Sequence, residues 1–139
     1  ANKFAHNLEL PLIMLHKERF ETGEVEVQRV IGDAAGKRPI IVDDMITSGG
    51  TIEQAVKALL GAGAKPEIMV VATHGLLVEN ALERLADPAI VEVVLTDTVP
   101  LPPEKRFPKL KILTVAGVLA EAIRRLNQDR SIEALYPFN

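Results

Sequence analysis

Apolar and polar positions fall along this chain in alternating blocks. Phe4, Ala5, Leu8 and Leu10 stand close to a helical spacing, so the chain opens as if in mid-helix and is expected to be a piece of a longer one. Leu10 to His16, "LPLIMLH", is a short apolar run that predicts a buried strand. Lys17 to Glu24, "KERFETGE", is polar and has no period, so it reads as a mobile loop. Val25 to Gly32 alternates, with only Arg29 interrupting the apolar side, which predicts a half-exposed strand. Arg38 to Asp44, "RPIIVDD", is the β-branched run expected of a central parallel strand covered on both faces. From Ile52 to Leu60 the apolar residues fall at 52, 55, 56, 59 and 60, a helical stripe, with Gly61 and Gly63 as candidate C-caps.

The alternation continues to the end of the chain. Strands are expected over Glu67–Gly75, Ile90–Thr98 and Leu110–Val115, and helices over Leu77–Leu85 and Ala116–Leu126. Val99 to Lys109 carries four prolines and is irregular. The tail from Asp129 is expected to add one short edge element. Strands that alternate with helices of this size predict a single α/β domain over 1–139 with a mostly parallel sheet.

Composition narrows the chemistry. The net charge is −3, and the chain has one Tyr, four Phe and no Trp. Neither a basic field nor a stacking platform for nucleic acid is present in it. With no cysteine, disulfides, thiolate catalysis and Cys-zinc sites are excluded, and the chain fits a cytoplasmic protein. No run approaches the roughly 20 apolar residues of a membrane span. His6 and His16 have no carboxylate at ligand spacing, so no metal site is predicted for them, and none is expected elsewhere in the chain.

One stretch concentrates the polar chemistry: Val42 to Thr51, "VDDMITSGGT". It lies where a predicted strand ends and a predicted helix begins, the place where open α/β sheets bind ligands. Gly49 and Gly50 permit a tight loop whose N–H groups approach an anion, and Thr47, Ser48 and Thr51 add hydroxyl donors. The helix start contributes free N–H groups and a positive dipole end. Asp43 and Asp44 cannot bind that anion; they need donors or a cation, and vicinal sugar hydroxyls or Mg²⁺ suit them. A phosphorylated ribose satisfies both halves of the loop. The plain alternative is an N-cap followed by a Gly-Gly turn, but adjacent carboxylates at a buried strand end are costly without a partner. The loop is not a Walker A motif, because no Lys follows the glycines. His74 and Asp97, at strand ends, read as structural, and Ser48 has no His–acid partner in sequence.

"VDDMITSGGT" resembles the ribose-phosphate loop of the type I phosphoribosyltransferase superfamily. In combination with "LPLIMLHKERFETGEVEVQRVIGDAAGKRPIIVDD", "VVATHGLL", "EVVLTDTVPL" and "ILTVAGVLAEAIRRL", the chain resembles the ribose-phosphate pyrophosphokinase family over nearly its whole length. The resemblance implies a three-layer sandwich around a parallel sheet. It also implies transfer of the β,γ-diphosphoryl group of Mg-ATP to the anomeric hydroxyl of ribose 5-phosphate. Asp43 and Asp44 would face the ribose hydroxyls, and Thr47, Ser48, Gly49, Gly50 and Thr51 the 5-phosphate. Lys17 and Arg19, in "HKERF", match the Lys and Arg two apart on the family's flexible catalytic loop, where they would offset charge as the bridging oxygen leaves. Mg²⁺ would be held mainly through substrates and through a further half. Thr47 stands where many members carry a third acid, so charge balance or regulation is expected to differ.

Family chains are longer, which implies that this is the C-terminal half. The ATP-binding elements, metal ligands and pyrophosphate loop would then precede Ala1. The chain alone is expected to bind ribose 5-phosphate weakly and not to catalyse. A homo-oligomer is implied too, and the stripe Val118, Leu119, Ala122, Ile123 and Leu126 reads as core or subunit contact. Two other readings stay open: a base phosphoribosyltransferase, which would need a base-recognising hood, and a non-catalytic regulatory subunit or phosphoribosyl-ligand sensor.

Overall fold

The computed structural model describes residues 2–19 and 25–135. Its centre is a parallel four-stranded sheet, in the order β3 (Ile40–Ile46), β4 (Ile68–Gly75), β5 (Ile90–Thr96) and β6 (Leu110–Leu113). Before it, α1 (Asn2–Asn7) leads into an antiparallel ribbon of β1 (Met14–Arg19) and β2 (Val25–Ile31). α2 (Gly50–Gly61) joins β3 to β4, α3 (Ala81–Leu85) joins β4 to β5, and α4 (Ala116–Asn127) follows β6. The α/β class with a parallel sheet is as the alternating pattern predicts.

Burial explains the packing. In β4, Ile68, Val70 and Ala72 are buried at every second position, as a strand facing a helix layer requires. They meet Ile52 and Val56 of α2, Ala81 and Leu85 of α3, and Ile90, Val93 and Leu95 of β5 in one core. Further along the same stripe of α2, Leu59 packs with Ala34 and Ala64 against Ile13 and Leu15 of the ribbon segment. α2 thus meets both the sheet and the ribbon through one apolar stripe. Gly63 ends that helix with φ 82°, its N–H reaching the Leu60 carbonyl at 2.9 Å while Ala64 N–H reaches Leu59 at 3.0 Å. That pattern is a Schellman ending, so Gly63 is the terminator and Gly61 remains inside the helix.

Several expectations are corrected. β1 is not a buried strand over Leu10–His16; it begins at Met14, which is exposed, and among the described residues it pairs only with β2. It runs on through Lys17, Glu18 and Arg19, opposite Val27, Glu26 and Val25, so the expected loop shrinks to residues that lie outside the described ones. Ribbon pairing overrides the polar composition there, because ladder hydrogen bonds need no apolar period. β3 is an edge strand of the described sheet, with Ile40 and Met45 exposed, not a central one. α3 starts at Ala81, four residues later than the periodicity suggests. Leu77 and Glu79 take positive φ, and the backbone before α3 is bonded to the loop after β3 instead. The described part of the tail, as far as Leu135, forms a 3₁₀ turn over Glu133–Leu135 and no strand, and the rest of the expected edge element lies outside the described residues.

The α4 stripe is not core of this chain. Val118, Leu119, Ile123 and Leu126 are each more than half exposed. On the same helix Glu121 receives Arg124 Nη2 and Arg125 Nε, each at 2.7 Å. Arg124 first, and then Arg125, hold the Glu121 carboxyl down to about 2 from 4.5. A depressed folded-state value gives stability that is complete above the unfolded value and fades as pH falls. Thermal unfolding followed by helical circular dichroism is therefore expected to weaken between pH 4.5 and about 2. Glu121→Gln should flatten that part of the profile, and an unchanged slope would show that the pairs contribute nothing.

Candidate ligand site at the end of the first parallel strand

The strand run from Ile40 delivers Asp43 and Asp44 to the C-terminal edge of the sheet, Asp43 half-buried and Asp44 exposed. Each carboxylate organises the next peptide: Asp43 Oδ1 accepts the Asp44 N–H at 3.0 Å, and Asp44 Oδ1 accepts the Met45 N–H at 2.8 Å. One oxygen of each acid is engaged in this way, and among the described residues Oδ2 of each makes no bond.

Ile46 is then buried, and Thr47, Ser48 and Gly49 turn the chain into α2. Gly49 is the N-cap at φ 77°, ψ 0°, a left-handed conformation that favours glycine. A Cβ there would also stand 3.5 Å from Arg84 Cβ and 3.6 Å from Ala81 Cα. The first helical bond runs from Glu53 N–H to Gly49 O at 2.9 Å. Among the described residues the N–H groups of Gly50, Thr51 and Ile52 have no backbone acceptor, as at any helix start. No side chain caps them, so the hydroxyls of Thr47, Ser48 and Thr51 are not consumed as N-caps. The loop thus offers free donors on one side and two carboxylates on the other. That is complementary to a phosphate and to a pair of hydroxyls.

What holds this loop was not legible in the sequence. The segment after β4 donates to it three times: Leu76 and Leu77 N–H to Ile46 O at 2.9 and 3.2 Å, and Val78 N–H to Thr47 O at 3.0 Å. From α3, Arg84 Nη1 donates to Ser48 O at 2.7 Å, and Arg84 Nε pairs with Glu53 Oε2 at 2.9 Å. Lys57, and after it Arg84, hold the Glu53 carboxyl below its ordinary range. An arginine in "ALERL" reads as a solvated helix charge, and its partner is 36 positions away. No local pattern could have found it.

The other strand ends are structural. His74 Nδ1 meets Thr98 Oγ1 at 2.8 Å, and the hydroxyls of Thr96 and Thr98 both donate to Thr73 O, at 2.7 and 3.1 Å. Asp97 accepts the Val115 N–H at 2.9 Å. Thr114 first, and that N–H second, hold its carboxyl below the ordinary range. Lys17 and Arg19 lie on β1 by their backbone, facing Val27 and Val25 across the ribbon. Among the described residues no three His, Asp or Glu side chains stand close enough to hold a metal ion, and no helix is long and apolar enough to cross a membrane.

The chain is similar to a known family, to known proteins and to a solved structure. A family described as "Phosphoribosyl synthetase-associated domain" matches residues 20–137. The ribose-phosphate pyrophosphokinase of Gloeobacter violaceus is 45% identical over 137 residues, 98% of this chain and 41% of that one. The same-named protein of Caldanaerobacter subterraneus subsp. tengcongensis is 46% identical, over 98% of this chain and 43% of its own. The crystal structure of phosphoribosylpyrophosphate synthetase from Mycobacterium smegmatis superposes with TM-score 0.80 at 41% identity, covering 92% of this chain and 41% of that one. The chain therefore spans about two fifths of the length of the relatives it matches.

Proposed function

This chain belongs to the phosphoribosyl synthetase-associated family, and from that premise we propose that it supplies the ribose 5-phosphate site of a ribose-phosphate diphosphokinase. That enzyme passes the β,γ-diphosphoryl group of ATP to the anomeric hydroxyl and yields phosphoribosyl pyrophosphate and AMP. The observation that carries the reading is the loop from Asp43 to Thr51, with unsatisfied N–H donors at a left-handed Gly49 beside two carboxylates. Asp43 and Asp44 accept from the ribose hydroxyls through the oxygens left over from backbone bonding. Thr47, Ser48, Gly49, Gly50 and Thr51, with the start of α2, take the 5-phosphate. Lys17 and Arg19 offset the charge that develops on the leaving oxygen, since such transfers are driven by positioning and electrostatics.

Magnesium, when bound, neutralises phosphate charge. Two adjacent carboxylates do not complete its octahedral shell, so the fit is to an ion that arrives on the ATP phosphates. We place this chain in the C-terminal half of the longer enzyme and that enzyme in the cytoplasm. ATP would be held by the other half.

The direct test is calorimetric titration of this chain with ribose 5-phosphate and with ribose, followed by an AMP-release assay with Mg-ATP. Binding of the phosphorylated sugar only, without turnover, is the expected result. Equal affinity for ribose, or none for either sugar, would reject the site. AMP release by this chain alone would reject the dependence on a second half. The reading frame upstream of Ala1 and the intact mass of the gene product test the placement in the longer chain.

Self-association belongs to the same proposal. The exposed stripe on α4 is a surface that apolar burial would stabilise in a homo-oligomer. Light scattering should report more than one protomer, reduced to one by Ile123→Asp. A monomeric parent chain would remove the assignment.

A further inference from the structure

We infer that Arg84 is a positioning residue for the anion cradle, acting on the carbonyl of Ser48. The inference rests on the reading of that loop as a phosphate site. A peptide that lends its N–H to an anion must keep its neighbouring carbonyls out of the site, because each carries a partial negative charge. In this chain three consecutive loop carbonyls are turned away and fastened. Ile46 O takes Leu76 and Leu77 N–H, Thr47 O takes Val78 N–H, and Ser48 O takes Arg84 Nη1 at 2.7 Å. The first two fastenings are backbone to backbone. Their segment carries left-handed Leu77, φ 47° and buried, a conformation that costs energy for a branched residue and is held by its surroundings. The third comes from a side chain, so it alone can be removed without rerouting the backbone.

The geometry around the third fastening is close. Arg84 Nη1 lies 3.9 Å from the position a Cβ on Gly50 would occupy, so the guanidinium stands beside the free N–H groups of the α2 start. Glu53 fixes the other edge of the guanidinium through Nε at 2.9 Å and takes up part of its charge. Arginine suits this place because its rigid planar fork holds a carbonyl and a carboxylate at once in fixed directions, whereas a lysine is a point charge on a flexible stem and fixes neither direction. The result is a donor set fixed before a ligand arrives, which spares the ordering cost at binding.

Titration of Arg84→Ala, Arg84→Lys and the parent chain with inorganic phosphate, ribose 5-phosphate and ribose tests this, with amide NMR spectra to report fold. Loss of one charge-assisted hydrogen bond at the loop should lower affinity for both phosphate ligands about tenfold in Arg84→Ala, and less in Arg84→Lys. The amide spectra of both variants should match the parent's away from the loop, which a general loss of structure would not allow. If both variants bind the phosphate ligands as the parent does, Arg84 does not position the cradle and the site assignment stands without it. If the parent binds neither phosphate ligand, the site reading fails and this inference falls with it. Arg84→Lys keeps the charge, so the question remains answerable should Arg84→Ala not fold.

Discussion

Replacing Asp43 and Asp44 together by asparagine is expected to weaken ribose 5-phosphate binding about a hundredfold. Hydrogen bonds to a charged acceptor contribute about 1.5–3 kcal/mol each, and asparagine keeps the shape while losing the charge. The bonds that build the strand end survive, because the Oδ1 atoms that accept the Asp44 and Met45 N–H groups remain in asparagine. Thermal stability should therefore stay near that of the parent. Inorganic phosphate should bind as well as before or better, since two negative charges beside an anion site have gone. The pair of titrations separates the sugar half of the loop from the phosphate half. An unchanged affinity for ribose 5-phosphate would mean that the acids face something other than the ribose.

Gly75→Ala should be the most damaging of the single glycine-to-alanine changes to the fold. Gly75 closes β4 beside Ile46 and is buried. A Cβ built on it overlaps Leu95 Cδ1 and stands 3.4 Å from Leu95 Cγ, and Leu95 is fully buried in the main core. A packed core absorbs one extra methyl group at a cost of about 1–3 kcal/mol. The site should suffer as well, because Leu76, the next residue, fastens the Ile46 carbonyl. Adding Leu95→Val withdraws the obstructing methyl groups, so the double variant should be less destabilised than the sum of the singles. Gly61→Ala is the control: it lies in α2 with no atom within 4 Å of its built Cβ, and helix propensity should make the change neutral or stabilising by up to about 1 kcal/mol. Urea unfolding of the four variants decides it; additive losses for Gly75→Ala and Leu95→Val would refute the proposed clash.

Much of the fold is written in local pattern. The β-branched runs ending at Asp44 and Gly75, and the stripe at 52, 55, 56, 59 and 60, follow from side chains that must be buried on one or both sides. "VDDMITSGGT" marks the candidate ligand site because acids, hydroxyls and paired glycines meet at a strand-to-helix turn, and each is a local signal. Tertiary structure decided what depends on distant partners. It set β3 at an edge and drew Lys17 to Arg19 into a ribbon, since pairing is chosen by the whole set of strands. It delayed α3 to Ala81 because Leu76, Leu77 and Val78 have better acceptors in the loop after β3 than in a helix of their own. It also brought Arg84 to Ser48 across 36 positions, a contact that side-chain reach and helix placement create and that no spacing in the sequence encodes.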